Sequence, residues 1–542
     1  MNTKQLKAKV LDLAIHGKLL SPETVAELKK SPDYETADVL LEKIRKEKEE
    51  KIAKGELKRD KKDSYIFVGD DKRHYEKFSD GTVKDIEDEI PFDVPEGWAW
   101  CRLGNIVLFE RGITFPSSAK QLEKSDNNIP CIRTANVQEE LTLDDLIFVD
   151  KTFIKNNIKK IVKEDDIIFS SANSRELVGK ASYVNKIDIE MTFGGFVLVI
   201  RSKINKYVFY FLKREFLFGN FMGESTQTTN IANINTEKLS NILIPVPPQT
   251  EQTLIIERIK YWFKIIADFD KNIKNLETLV NLSKSKILDL AIHGKLVPQD
   301  VNDEPASVLL EKLRAEKEDK IAKGELKRDK NDSYIYKGSD NCYYEKLNGK
   351  EICIEDEIPF EIPEGWIWCR LPSLCEIPIT DGTHQTPSYS DKENGVPFLS
   401  SKDVTSGKID WSNIKYITKE LHEQLYKRIA PKKCDILLAK NGTTGVAAMV
   451  EDDIIFDIYV TLAVLRPSQN IILPVFLLNV INSPFCKEQF NSHLTGIGVP
   501  NLHLVDINRT IIPIPPLKEQ ERIVSKIKKL FLQLDQLQMN IF

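Results

Sequence analysis

The chain has 542 residues, is 41% hydrophobic and 29% charged, and carries a net charge of −5. Those fractions belong to an ordinary globular protein and exclude extended disorder and collagen-like chains, while the acidic balance offers nucleic acid no bulk attraction. No run approaches the ~18 apolar residues of a membrane span, and the opening stretch, interrupted by Asp12 and His16, does not read as a secretory signal.

In chain order, residues 1–20 read as an amphipathic helix with Leu6, Val10 and Leu13 on one face. Residues 42–62 are helical by propensity, with ten basic and six acidic residues on what reads as a solvated face. IEDEIPFDVPEGWAWCRLG (86–104) opens a mixed α/β stretch with strand candidates at 166–169 and 196–200 and a helix near 206–216. A strand at 242–246 runs into Pro247-Pro248, which ends it and cannot lie inside a helix. From Ile255 the apolar residues Ile259, Trp262, Ile266, Phe269 and Ile273 follow at alternating steps of four and three, continuing to Leu290 with Ser283 the one break. That is a heptad seam, and over residues 250–290 it predicts a coiled-coil helix ~60 Å long.

The cycle then starts again. VLDLAIHGKLL (10–20) recurs as ILDLAIHGKLV (287–297), and residues 42–66 recur at 311–335 with four differences. Trp98 recurs as Trp366, an offset of 268 residues, and IPVPPQTEQ recurs as IPIPPLKEQ after the same offset. The second module offers strands at 435–439, 461–465 and Ile511–Ile514 and a helix at Pro474–Ile481; Ile523, Ile527, Leu530 and Leu534 then continue the seam in a C-terminal helix of ~39 Å. The termini carry the two halves of the central element separately, so residues 1–20 and 517–542 are expected to associate and complete a pseudo-symmetric molecule. Between the near-identical blocks, residues 105–241 and 373–509 show no convincing alignment. A constant frame around two divergent modules suggests one scaffold presenting two recognition surfaces.

Catalytic signatures are missing. There is no GxxxxGK[ST] loop and no Asn/Asp-Pro-Pro-Tyr, and Gly496-Ile497-Gly498 does not open a nucleotide-binding unit. Pro32-Asp33 followed by Glu49-Glu50-Lys51 spells a nuclease-like pattern inside a helix rich in Glu and Lys, where it arises by chance. His16 and His293 read as packing or capping groups. The eight cysteines have no metal-ligand spacing and read as reduced cytoplasmic thiols, with no metal site. The chain is expected to perform no chemistry.

The order PEGWxWCRLG, variable module, IPxPPxxEQ, heptad helix, AIHGKLVPQ, EPASVLLEKLRAEK, and then the cycle again, resembles the specificity subunit of type I restriction-modification systems, with a connector like that of the type IB subgroup. The resemblance covers essentially the whole chain. It implies an α+β protein of two α/β target-recognition domains separated by long antiparallel coiled-coil helices in a pseudo-twofold internal repeat. The corresponding segments are a helix and connector (1–90), the first recognition domain (91–248), a central helix (249–297), a second connector (298–357), the second recognition domain (358–516) and a final helix (517–542). It further implies double-stranded DNA as ligand, read as a bipartite site. The implied partners are two methyltransferase subunits using S-adenosylmethionine and restriction-translocase subunits using ATP and Mg²⁺, with no cofactor on this chain. Two other readings are a two-module scaffold for a non-DNA partner and the specificity chain of a modification-only methyltransferase.

Candidate base readers are polar residues on loops where glycine lets backbone approach DNA, Arg suiting guanine and Asn or Gln adenine. In the first module these are Arg111, Thr114, Arg133, Asn173, Ser174, Arg175, Lys180, Thr228 and Asn230. In the second they are Thr380, Thr383, His384, Lys402, Lys440, Asn441, Thr443, Thr444, Asn501 and His503. Ile255, Ile259, Trp262, Ile266, Phe269, Ile273, Ile523, Ile527, Leu530 and Leu534 are the candidate scaffold and partner-docking residues.

Overall fold

The computed structural model describes residues 2–540 except 60–62, 156, 225, 229–230, 326–327, 329–331, 405–406, 443, 493 and 495–500. The chain forms two compact units, Met1–Asn272 and Ile273–Phe542. Each is mixed helix and strand, and most elements of one recur in the other in the same order.

In the first unit the amino-terminal helix Thr3–Ile15 is capped by Asn2, whose side chain accepts from the Gln5 amide. It buries Leu11, Ala14 and Ile15 most deeply, while the expected Leu6, Val10 and Leu13 are half-buried, Val10 against the same core. They pack toward the module helix Asn205–Leu217 and share one core with its Tyr207 and Leu212 and with Ile255 and Ile259 at the start of the long helix Gln249–Ile292. The helix ends at His16, and Gly17 follows at φ +65°, where a Cβ would stand 2.3 Å from Pro95 Cγ. Gly294 and Pro363 repeat that contact in the second unit, which explains the repeated His-Gly-Lys.

In the second unit Leu288, Ala291 and Ile292, at the end of the long helix, pack with Ile523 and Ile527 of the C-terminal helix Leu517–Met539. Lys284 pairs with Asp535 at 2.6 Å, while further along the chain Gln299 reaches back to Glu519 at 3.3 Å. The two helices therefore run antiparallel there.

The long seam differs from the expected stripe. Ile255, Ile259 and Ile266 are buried, but Trp262 is 42% and Phe269 47% exposed, and Phe263 packs into the core instead. The module and the amino-terminal helix cover a face that follows the 3.6-residue period, so a strict heptad drifts out of it. Ile273, Leu530 and Leu534 are half-buried.

Each connector is a helix, Ala37–Ala53 or Ala306–Ala322, and a three-stranded meander. Each module is then closed at its neck by one strand pair, Ala99–Arg102 with Leu243–Val246 and Ile367–Arg370 with Ile511–Ile514. Arg102 braces the first neck, donating to Glu76, to Glu89 and to the Asn241 carbonyl; Arg370 does so with Glu345, Glu357 and the Arg509 carbonyl.

The modules, unalignable by sequence, share one topology. A four-stranded sheet in the order Ala181–Tyr183, Ile167–Ser170, Val197–Arg201, Leu108–Arg111 has its counterpart in Ala447–Met449, Ile436–Ala439, Leu462–Leu465, Thr380–Asp381. The expected strands and both expected module helices, Asn205–Leu217 and Pro474–Ile481, form within a residue or two of their predicted places. A second sheet joins Thr192–Phe193 to Asn128–Ile132 in parallel, and Asp457–Ile458 to Val396–Leu399 likewise.

Candidate nucleic-acid interface

The shared topology puts the two modules in register. Arg111 pairs with Leu198 and Asp381 with Ala463, so these residues occupy one structural position, at the end of the first strand of the four-stranded sheet. The next residues, Gly112 and Gly382, are glycines for the same reason. A Cβ on either would lie 2.0 Å from the carbonyl oxygen of Gly194 or Ile458. Ile113 then bridges Gly194, and Thr383 bridges Tyr459.

Two further loops meet this turn. In the first module Ala172–Asn173 joins Ile231–Asn233 and Thr226–Thr228 in a small sheet, and the Ile234 amide donates to the Ser171 carbonyl at 2.9 Å. In the second Asn441 bridges Asn501, and the Leu502 amide donates to the Lys440 carbonyl at 2.8 Å. The first loop is tied in by Arg111, which donates to Thr236 Oγ1 at 3.2 Å, and by Asp381, which takes the Lys440 ammonium at 2.5 Å. All three loops singled out from the sequence thus converge at the same end of the sheet in both modules.

Their residues differ in what they expose. Thr114, Ser174 and Arg175 are exposed, and Arg175 meets no partner among the described residues. Asn173 is half-buried and donates to Ser170 Oγ at 3.3 Å. Arg133 lies aside, donating to the Asp145 carbonyl at 2.6 Å, and Lys180 is engaged by Gln138. The backbone of Thr228 lies in the small sheet. Asn230 and Thr443 lie outside the described residues, as does Gly496-Ile497-Gly498.

In the second module His384 and His503 are exposed, and Thr380, Asn441, Thr444 and Asn501 are half-buried. Lys402 is exposed and donates to the Asn413 carbonyl at 3.2 Å. Thr383 and Lys440, however, are buried. Lys440 serves to neutralise Asp381, so its placement is that of a strut under the loops rather than a surface reader. Burial alone would raise the Asp381 carboxyl, but the Lys440 ammonium and His384 hold it below the ordinary aspartate range.

The sequence reading missed three residues at this place. Phe196 is 65% exposed on the turn that follows Gly194-Gly195, and its carbonyl accepts from the Ser171 amide at 3.1 Å. Asn233 is the structural counterpart of Asn501. Arg428, the last residue of the helix Lys419–Arg428, reaches Asp381 and the Gly382 carbonyl at 3.3 Å each. Phe196 could have been suspected as an aromatic following two glycines; Arg428 is 47 residues from Asp381 and gave no local signal.

Elsewhere His16 and His293 stack on Phe92 and Phe360, as expected of packing groups, and Glu49 of the nuclease-like pattern is held by Arg59. No described helix is long and apolar enough to cross a membrane.

The profile of the type I restriction modification DNA specificity domain matches residues 95–278 and 363–541, the first spanning a module and part of the helix that follows it, the second a module and its whole following helix. The chain is 23% identical to the specificity subunit of the EcoAI type I restriction enzyme of Escherichia coli, over 97% of this chain and 88% of that one. It is also 23% identical to the EcoKI specificity subunit of Escherichia coli strain K12, over 83% and 85%. Among solved structures it matches a chain described for the complex assembly and conformational transition of the type I R-M system, at 16% identity and a TM-score of 0.48, covering 83% of this chain and 94% of that one.

Proposed function

Since the chain belongs to the type I restriction-modification DNA specificity family, we propose that each of its modules reads one half of a bipartite duplex site through the three-loop cluster at the end of its four-stranded sheet. The observation that carries this reading is the pairing of constancy and change. Neck and connector repeat almost residue for residue, and the two four-stranded sheets share one strand order, yet Arg111 stands where the other has Asp381 and Ser171 where the other has Lys440. A scaffold with a single ligand would have no reason to hold its frame constant while its modules, this cluster included, diverge. Side chains at such a cluster specify bases, while backbone and cations position the duplex.

In this reading the helices Gln249–Ile292 and Leu517–Met539 set the spacing between half-sites, as antiparallel coiled-coil partners in a pseudo-twofold molecule. Half-sites one helical turn apart need readers ~34 Å apart, and the C-terminal helix is comparable in length. Along the long helix Tyr261, Trp262, Ile265 and Phe269 form an exposed apolar stripe at helical spacing, with Leu279 and Leu282 beyond it. Stripes of this size on a soluble protein mark partner surfaces, and the partner we assign is a methyltransferase subunit, two per chain. S-adenosylmethionine would be held by those subunits, and ATP and Mg²⁺ by restriction-translocase subunits, in the cytoplasm. The chain itself would recognise and assemble without catalysing.

The test is a module exchange. Residues 105–241 are replaced by the same segment of a relative, the chimera is expressed with its methyltransferase partners, and the methylome is sequenced. One half-site should change and the other half-site and the gap should persist. Methylation of unchanged sites would refute the assignment.

A further inference from the structure

We propose that Arg428 is a base-reading residue of the second module, presenting its guanidinium to a guanine of that module's half-site. The inference rests on the assignment of one half-site to each module.

Arg428 lies on the segment between the strands Lys415–Ile417 and Ile436–Ala439. Its Nη2 donates to Asp381 Oδ1 and its Nη1 to the Gly382 carbonyl, both at 3.3 Å. Two acceptors on one turn fix the plane of the guanidinium. Of its five N–H donors, the others meet no partner among the described residues, and the side chain is 49% exposed. The helix that carries it is itself pinned: Thr418 caps its start, accepting from the Leu421 amide, and His422 Nδ1 lies 2.6 Å from Asp457 Oδ2, next to the Ile458–Tyr459 turn.

Charge separates a reader from a clamp. Asp381 is already matched by the buried Lys440 at 2.5 Å, with His384 3.3 Å away. Arg428 is therefore a surplus cation, oriented by the turn but not required to neutralise it. The first module brings a cation from the equivalent segment to the equivalent turn, where Lys160 donates to the Arg111 carbonyl at 2.6 Å. That ammonium is mostly buried and stands 3.7 Å from Glu110, whereas the guanidinium is half in solvent. In the first module the exposed guanidinium at this turn belongs to Arg111 itself. Each module therefore ends the same strand with one exposed, planar donor, delivered by a different route. A preoriented Arg fork matches guanine O6 and N7.

The test uses the full chain with its methyltransferase partners, as wild type, R428A and R428K. Methylome sequencing defines the site, and duplexes carrying single substitutions in each half-site are titrated across a range of salt. We expect R428A to lower discrimination at one guanine of the second half-site by about 5- to 150-fold, with the first half-site and the thermal stability unchanged. R428K should not restore it, since an ammonium lacks the fork. Three results would overturn the proposal: unchanged discrimination; equal weakening on every duplex with a shallower salt slope and rescue by R428K, which marks a phosphate contact; or a lowered melting temperature, which marks a clamp. Altered bases in both half-sites together would instead refute the one-module, one-half-site assignment and leave Arg428 as a reader of a shared site.

Discussion

The indole Nε1 of Trp98 donates to the buried carboxylate of Glu251 at 2.8 Å, and that of Trp366 to Glu519 at 3.0 Å, each across 153 residues of chain. The bond joins the entrance of a module to the first turn of the helix that leaves it, so the module's two ends and its helix are held at one point. Tyr34 adds a second donor to Glu251 at 3.1 Å, and burial, helped by the Glu251 charge, pushes its hydroxyl up to about 12. The Gly-Trp and Glu-Gln repeats in the sequence are the two halves of this joint.

Trp98→Phe removes the donor together with part of the ring, leaving buried Glu251 without one of its two donors beside a small cavity. It should destabilise the first unit by about 1–3 kcal/mol. Hydrogen exchange resolved along the chain should show protection lost between residues 1 and 272 and retained in the second unit.

Glu519 titrates in the opposite sense from a salt-bridged acid. Burial raises its carboxyl above the ordinary 4.5, with the Trp366 bond opposing. A raised folded-state value means that the stability contribution is fully present below 4.5 and is lost as pH rises through the folded value. Glu519→Gln keeps an acceptor for Trp366 and removes the charge. Its melting temperature relative to wild type should therefore rise between pH 4 and neutrality and then level off; a difference that does not vary with pH would contradict the assignment.

Lys440→Met leaves Asp381 buried without its closest cation. Breaking one side of a buried pair costs about 3–5 kcal/mol, and the double variant with Asp381→Asn should recover part of it. In the wild type the pair's contribution is present above the ordinary aspartate value of 3.8 and is lost as pH falls through the lower folded value. Denaturant unfolding across pH 2.5–7 checks both statements.

Arg175→Ala should relax one position of the first half-site by about 1–3 kcal/mol and leave the second untouched. Methylome sequencing of cells carrying the variant with its partners reads both at once.

Seven residues inserted into Gln249–Ile292 and seven into Leu517–Met539 add ~10.5 Å of helix, or ~3 base pairs. Both half-sites should persist while the preferred gap shifts, by fewer than three pairs where DNA bending absorbs the change. An altered half-site at an unchanged gap would refute the spacing role.

The frame was legible in the sequence because its signals are local or repeated. Pro247-Pro248 and Pro515-Pro516 end strands wherever the chain goes, apolar periodicity specifies a helix, and duplicated blocks show which residues share a position. The turns that carry the polar loops were legible too, since glycine beside Arg, Asn and Thr marks a turn. Tertiary structure alone decided which face of each helix is buried. Trp262 and Phe269 satisfy a heptad pattern as well as Ile259 and Ile266 do, but only the module's packing selects among them, leaving both aromatics in solvent. It also decided the fate of Lys440 and Arg428. A lysine next to Asn-Gly looks like a reader until Asp381, 59 residues away, draws it into the core, and an arginine at the end of a charged helix looks like surface until the same carboxylate orients it. Burial and charge pairing act between residues distant in the chain, and no spacing rule along the sequence records them.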